Sequence, residues 1–245
     1  MIDEKRTAVV LAGGLGSRLH PYTLTIPKPL LPLDGIPIIE VVLRQLASQG
    51  FERVVISLGY HGGMIQYWVG DGSHLGVPVE YVTEETPLGT AGALHLIHDL
   101  PSSFIVMNGD LLTTLDFAEF LEITIRKGYS AGVALHRRSV AIDYGVVHVS
   151  DRFTVSGYEE KPVLEYQVSM GIYVLSREVQ ALVGGNRVDM PDLVRQLASR
   201  DPGVFAYSPD VYWQDIGRVD DYERASSDFA ASPETFLRTG QGPNV

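Results

Sequence analysis

Short runs of consecutive apolar residues, each the length of a strand, alternate along this chain with stretches whose apolar residues recur at helical spacing. Thr7–Leu11 predicts a first strand, Pro37–Gln49 a helix stopped by Gly50, Val54–Leu58 a second strand and Gly62–Val69 a short helix. Val77–Val82, Phe104–Met107 and Ala131–Leu135 follow as strands. Helices are expected over Thr90–His98 and over Asp116–Lys127, where Asp116 has the chemistry of an N-cap. A strand that is apolar at every position must be covered on both faces. The alternation therefore calls for an α/β fold, with a mainly parallel sheet between two helical layers.

The rhythm changes after Asp143. Gly145–Val149 and Phe153–Glu159 flank the polar turn Ser150–Arg152 and predict a hairpin. Ser169–Leu175 reads as a further strand and Met190–Ser199 as a helix. The expectation is a doubly wound N-terminal half and an α+β C-terminal half that share one sheet. No linker, low-complexity segment or internal repeat separates them. Ser232–Val245 contains Gly and Pro and is expected to be loose.

Of the 245 residues 45% are hydrophobic and 20% charged, enough apolar material for a packed core. The formal net charge of −11 argues against broad nucleic-acid binding, which needs basic patches. A few local cations and backbone N–H groups can still hold a small anion inside an acidic protein. With no cysteine, disulfides, thiol catalysis and Cys-ligated zinc are excluded. Met1–Arg6 is charged and carries no signal-peptide core, and no apolar run approaches the ~18 residues of a membrane span. These features predict a soluble cytoplasmic protein with neither nucleic acid nor membrane as partner. They are compatible with assembly as a homo-oligomer.

The strongest local signal is the loop that leaves the first strand, Leu11-Ala12-Gly13-Gly14-Leu15-Gly16-Ser17-Arg18. Three glycines let backbone N–H groups approach a ligand, and Arg18 adds a cation suited to bidentate phosphate contact. In open α/β sheets ligands bind beyond the carboxyl ends of strands, which is where this loop starts. A tight structural turn would use the same glycines. A dinucleotide fingerprint fits poorly: Leu19 stands at its third glycine, and Asp34, its acidic partner, sits in a Gly-Pro loop. A Walker loop is ruled out for want of a Gly-Lys-Ser/Thr. The next segment, Pro21–Leu33, holds Lys28 between Pro27 and Pro29, which stiffens its backbone. One cation held beside a glycine cradle is a phosphate site with preorganised charge.

The stretch LAGGLGSRLHPYTLTIPKPLLPLDGIPIIE resembles the signature of the sugar-1-phosphate nucleotidyltransferases, a family that includes glucose-1-phosphate thymidylyl- and uridylyltransferases and mannose-1-phosphate guanylyltransferases. The resemblance runs from Arg6 to Glu223. It implies the nucleotide-diphospho-sugar transferase fold, with a Rossmann-like mixed, mainly parallel sheet and helices on both faces. It also implies one nucleotidyltransferase domain over residues 1–230, with a nucleotide-binding half to residue 140, a sugar-phosphate-binding half over 141–230 and a tail from 231 to 245. The substrates would be a nucleoside triphosphate and a sugar 1-phosphate, and the cofactor Mg²⁺.

Residue by residue, the resemblance assigns Leu11, Ala12, Gly13, Gly14, Gly16 and Arg18 to the nucleotide, with Arg18, Lys28 and Asp110 in catalytic roles. Asp110, in Asn108-Gly109-Asp110, and Asp215, in Trp213-Gln214-Asp215-Ile216-Gly217, would hold the metal; alone, either could equally be a turn residue. Glu84, Gly89 and Thr90 fall in the loop that meets the base. Related thymidylyl- and uridylyltransferases typically carry glutamine where Glu84 stands. A carboxylate only accepts hydrogen bonds, which suits the adjacent N1–H and N2–H₂ donors of guanine, and the PLGTAGAL run is similar to that of guanylyltransferases. Glu84 and Glu85 could equally be a solvated loop pair. Gly145, in Tyr144-Gly145-Val146, and Glu160-Lys161-Pro162 match segments that bind the sugar and its phosphate. Ser169 departs from the family, where many relatives carry asparagine, and leaves the sugar's identity open.

The expected reaction is in-line attack of a sugar 1-phosphate oxygen on the NTP α-phosphorus with release of pyrophosphate, GTP and a mannose- or heptose-type sugar being favoured over UTP or dTTP with glucose. The nucleophile is already an anion, so positioning and charge neutralisation replace a general base. An inactive nucleotide-sugar sensor on the same fold would be expected to have lost Lys28, Asp110 or Asp215; all three are present. Tyr60-His61-Gly62-Gly63 lacks the nucleophile motif that an oxyanion loop would serve.

Overall fold

The computed structural model describes residues 5–84 and 86–237. β1 (Thr7–Ala12) leads into three 3-10 turns, Ser17–Leu19, Tyr22–Leu24 and Lys28–Leu30, and a miniature hairpin of β2 (Pro32–Leu33) and β3 (Ile36–Pro37). α1 (Ile38–Ser48), β4 (Arg53–Leu58), α2 (Gly62–Val69) and β5 (Val79–Thr83) follow. Next come α3 (Gly89–Gly92), β6 (Ser103–Asn108), β7 (Leu111–Thr113), α4 (Phe117–Arg126) and β8 (Ala131–Ala141). β9 (Val146–Val149) and β10 (Val155–Glu159) form an antiparallel hairpin that precedes β11 (Val163–Ser176). The chain continues through α5 (Arg177–Val183), α6 (Met190–Ala198), β12 (Phe205–Tyr207), β13 (Trp213–Asp215), α7 (Val219–Ala231) and α8 (Pro233–Phe236).

Seven strands make one sheet in the order β12-β8-β11-β6-β1-β4-β5. β1 lies parallel between β4 and β6, β4 pairs parallel with β5, and β12 with β8; β11 is antiparallel to both β6 and β8. This is the α/β fold with a mostly parallel sheet that the apolar alternation demands. Side chains alternate across β1: Ala8 and Val10 join a core with Ile39, Leu43, Phe117 and Phe120, while Val9 faces Phe104, Val106, Leu175 and Leu193 on the other side. A third cluster, with Leu19, Leu33, Ile38, Ile216, Phe229 and Phe236, fastens the Pro-rich segment to α7 and α8. Pro233–Phe236 of the expected loose tail is helical with Phe236 buried; the part of it from residue 238 onward lies outside the described residues. No described helix is long and apolar enough to cross a membrane.

Four elements, α3, β5, β8 and β11, differ from the sequence reading. The helix expected over Thr90–His98 is one α turn followed by a 3-10 turn over Ala93–Leu96, after which the chain turns extended at Ile97. β5 starts at Val79, since the Val77 amide is used in the turn from Gly72. β8 and β11 outrun their apolar stretches and pair with each other over Ser169–Val163 and Leu135–Ala141, where side chains are largely exposed.

Asp116 caps α4, accepting from Glu119 N–H at 2.8 Å. A second cap comes from outside the helix: Gln49 Oε1, just past α1, accepts from Phe117 N–H at 2.6 Å and Ala118 N–H at 3.3 Å, and its Nε2 donates to the Leu115 carbonyl. Gln49→Leu leaves those amides without an acceptor. It should lower the unfolding free energy by about 1–2 kcal/mol in urea melts, as loss of an N-cap does. An unchanged midpoint would show that water replaces the cap.

Candidate active site

The glycine loop begins where β1 ends, at the centre of the sheet. Gly13 packs on Gly59 at the end of β4 so closely that a Cβ on Gly59 would lie 2.6 Å from the Gly13 carbonyl oxygen. Gly16 has φ +63, which favours glycine, and its carbonyl accepts from the buried Thr23 hydroxyl at 2.7 Å. That bond folds the Pro-rich segment back over the loop. A Cβ on Gly16 would meet Thr23 at 3.1 Å and the Lys28 Cβ at 3.3 Å, so the loop and the lysine share one packed corner.

Lys28 is 7% exposed and ion-paired with Asp110. A buried ammonium persists when an anion and hydrogen bonds replace its water. Asp110 follows β6 in a turn pinned to β1 by the Gly109 amide, which donates to the Leu11 carbonyl at 2.9 Å. One carboxylate oxygen, Oδ2, takes the lysine. The other, Oδ1, is the buried side-chain polar atom that has no hydrogen-bond partner among the described residues. Asp215 is brought alongside by β13, which pairs antiparallel with β7 so that Asp215 opposes Leu111; Ile216 N–H donates to the Asp110 carbonyl at 3.2 Å. Burial pushes the Asp215 carboxyl above its usual range, and the Asp110 carboxylate adds to the rise, while Lys28 and Arg18 oppose it. Arg18, exposed on the turn after the glycine loop, thus acts on the same electrostatic centre.

Two carboxylates that repel each other, one with an unpartnered buried oxygen, form a hard-oxygen donor set. It fits a divalent cation of the Mg²⁺ type, whose remaining ligands come from phosphate and water. No group of three or more His, Cys, Asp or Glu that could hold a metal occurs among the described residues.

The base-loop residues are placed as follows. Glu84 has Oε1 3.2 Å from the Ser57 hydroxyl, and Oε2 accepts from Leu88 N–H at 2.8 Å. A Cβ on Gly13 would stand 3.2 Å from its Oε1, so the carboxylate borders the glycine loop. Gly89 has φ +80, and the space beside it is filled by Val188 and Asp189 of the chain, not left open. Thr90 bonds the same segment through both its N–H and its hydroxyl. Glu85 lies outside the described residues.

The sugar-side residues form two groups. On the hairpin side, the Tyr158 hydroxyl donates to Glu160 at 2.9 Å and lies so close to Gly145 that a Cβ there would be 2.0 Å from it. Lys161 is exposed with φ +47, an uncommon conformation for a residue with a side chain. Ser169 is on β11, 3.0 Å from the Tyr173 hydroxyl and accepting from Gly171 N–H. This group abuts the two carboxylates: Gly171 is pressed against the Asn108 side chain, and Trp213 Nε1 donates to the Met170 carbonyl at 2.9 Å. Thr23, Ser57, Gly59, Asn108, Trp213 and Asp189 were not singled out from sequence. Asn108 and Trp213 sat within the quoted motifs, whereas the partners of Thr90 lie about a hundred positions away with no local signal.

Residues 7–232 match the family described as "Nucleotidyl transferase". The mannose-1-phosphate guanylyltransferase of Mycobacterium tuberculosis is 34% identical over 100% of this chain and 71% of its own length. The UTP–glucose-1-phosphate uridylyltransferase of a Synechocystis species is 30% identical over 89% of this chain, which spans 62% of that protein. Among solved structures, HddC from Yersinia pseudotuberculosis superimposes with a TM-score of 0.70 at 28% identity, covering 91% of this chain and 99% of that one; it has also been solved in complex with GMP-PN.

The charge pair makes a testable demand. Asp215 binds its proton more tightly in the folded state than in the unfolded chain, so its contribution to stability falls as pH rises above the ordinary carboxylate range. Asp215→Asn should therefore raise the melting temperature in EDTA at neutral pH. The same substitution should remove any further gain from Mg²⁺. A lowered melting temperature in EDTA would contradict the repulsion.

Proposed function

Since the chain belongs to the nucleotidyl transferase family of sugar-1-phosphate nucleotidyltransferases, we propose that it condenses GTP with a mannose- or heptose-type sugar 1-phosphate, releasing pyrophosphate. The observation that carries the reading is the Lys28–Asp110 pair beside Asp215 at the mouth of the glycine loop. It concentrates opposite charges where a triphosphate would enter. Support for GTP comes from Glu84, whose oxygens can each accept more than one hydrogen bond and so keep capacity for guanine donors, and from the 34% identical guanylyltransferase.

In this reading the glycine loop and Arg18 hold the β- and γ-phosphates and steady pyrophosphate as it departs. Lys28 neutralises charge near the α-phosphate. Asp110 and Asp215 would hold Mg²⁺, which when bound supplies charge neutralisation for the phosphoryl oxygens. The nucleotide lies on the half of the domain that runs to residue 140, the sugar phosphate on the half from residue 141. Lys161 orients the attacking phosphate, Glu160 accepts from sugar hydroxyls, and Gly145 and Ser169 border the sugar. No proton need be removed, so the rate depends on alignment and electrostatics. The cytoplasm, where nucleoside triphosphates are available, is the compartment this reaction requires.

Pyrophosphate release, measured over four NTPs with glucose, mannose and heptose 1-phosphates, with and without Mg²⁺, tests the reading. Turnover with GTP and one sugar supports it; turnover only with UTP or dTTP keeps the reaction and discards the Glu84 argument. Asp110→Asn should lower kcat by at least about a hundredfold in a protein that still gives a native circular-dichroism spectrum. Undiminished turnover in that variant would remove Asp110 from the metal site.

A further inference from the structure

The segment from Leu88 to Gly92 is gripped by the start of α6. Asp189 occupies the N-cap position of α6 with the extended backbone of a cap, yet its side chain makes no capping bond to its own helix. Its Oδ1 accepts instead from Thr90 N–H at 3.2 Å. Thr90 completes the exchange, since its hydroxyl accepts from Met190 N–H at 2.7 Å. Each helix is thus capped by the other. Between the two caps, the Val188 carbonyl accepts from Ala91 and Gly92 N–H at 2.9 and 3.0 Å, and Val188 N–H donates to the Leu88 carbonyl at 2.8 Å.

The glycines of this loop fit the same purpose. A Cβ at Gly89 would lie 2.6 Å from the Val188 carbonyl oxygen and 2.7 Å from Asp189 Oδ1, and one at Gly92 would lie 3.0 Å from the Asn186 carbonyl oxygen. An aspartate at an N-cap ordinarily bonds its own helix without ordering any distant chain. Diverting it to Thr90 ties the loop to a second element while Glu84 ties its other end to Ser57. The loop is held at both ends before any ligand arrives, which lowers the ordering cost of binding.

We propose that Asp189 is a positioning residue for the nucleobase: through Thr90 and the Val188 bridge it sets the Leu88–Gly92 loop in the conformation that meets the base. The inference rests on the reading of that loop as the base-binding segment. Its effect falls on nucleotide affinity and base discrimination, because Asp189 bonds the loop and not the phosphate-holding residues.

Steady-state kinetics with nucleotide and sugar phosphate varied separately tests this in the wild type, Asp189→Ala, Asp189→Asn and Asp192→Ala. Asp189→Ala should raise the nucleotide KM about tenfold, the loss of one hydrogen bond to a charged acceptor, and narrow the rate ratio between preferred and poorest NTP. Its kcat and sugar-phosphate KM should stay within about twofold of wild type, a change too small to count as a lost interaction. Asp189→Asn keeps an acceptor oxygen and should recover most of the loss. Asp192→Ala, on the exposed first turn of the same helix, should change none of the three. A lower melting temperature with unchanged nucleotide KM and selectivity overturns the assignment, as does an equal rise in both KM values. If the alanine variant does not fold, Asp189→Glu, one methylene longer, is judged by the same criteria. A wild-type protein that turns over no NTP overturns the base-loop reading itself, and this inference with it.

Discussion

The buried ion pair between Lys28 and Asp110 is the interaction on which the site depends. A lysine 7% exposed would keep its charge out of water and unpaired without an anion beside it, and the repulsion between Asp110 and Asp215 would be opposed by Arg18 alone. The pair also joins two parts of the chain that are distant in sequence. Lys28 comes from a Pro-stiffened segment outside the sheet, and Asp110 from the turn after β6. Thr23 bonded to Gly16 and Gly109 bonded to Leu11 hold each partner to the same strand, β1. The central strand thus serves as common reference for the cation and the carboxylate.

Much of the sheet was legible because its strands are apolar at consecutive positions. β1, β4 and β6 are buried on both faces, and their pattern has few competing explanations. β7 and β13 escaped notice: at three residues each they are too short for any period to show, yet their pairing brings Asp215 to Asp110. The paired extensions of β8 and β11 were cut short in the sequence reading for the opposite reason, since exposed strand residues need no apolar pattern. α3 was overextended because its composition suits a helix, whereas the chain tightens into a 3-10 turn and becomes extended at Ile97.

The same distinction runs through the site. Local motifs pointed to Gly13, Gly16, Lys28 and Asp110, and the structure gathers these into one corner. Motifs say less about what a residue does there. Gly89 falls in the loop expected to meet the base, but its missing side chain accommodates the Val188–Asp189 segment. Glu84 is engaged with Ser57 and Leu88 as well as facing the glycine loop. A loop residue can thus be demanded by folding and available to a ligand at once, and which demand is stronger depends on atoms that sequence proximity does not reveal.

β11 is one strand with two different sets of neighbours. Its second part, Ile172–Ser176, is clamped between β6 and β8, whereas Val163–Ser169 is paired with β8 alone. The change occurs at a bulge, with two more residues on β11 than on β8 between the Ser169 and Tyr173 pairings. Gly171 sits in that bulge at φ +71, against Asn108. Mechanically, β11 is a beam with one end built into the sheet and the other cantilevered. Its fulcrum, Gly171, rests on Asn108, two residues upstream of the carboxylate that pairs with Lys28, so the point where the strand changes neighbours and the charged centre share one short stretch of backbone.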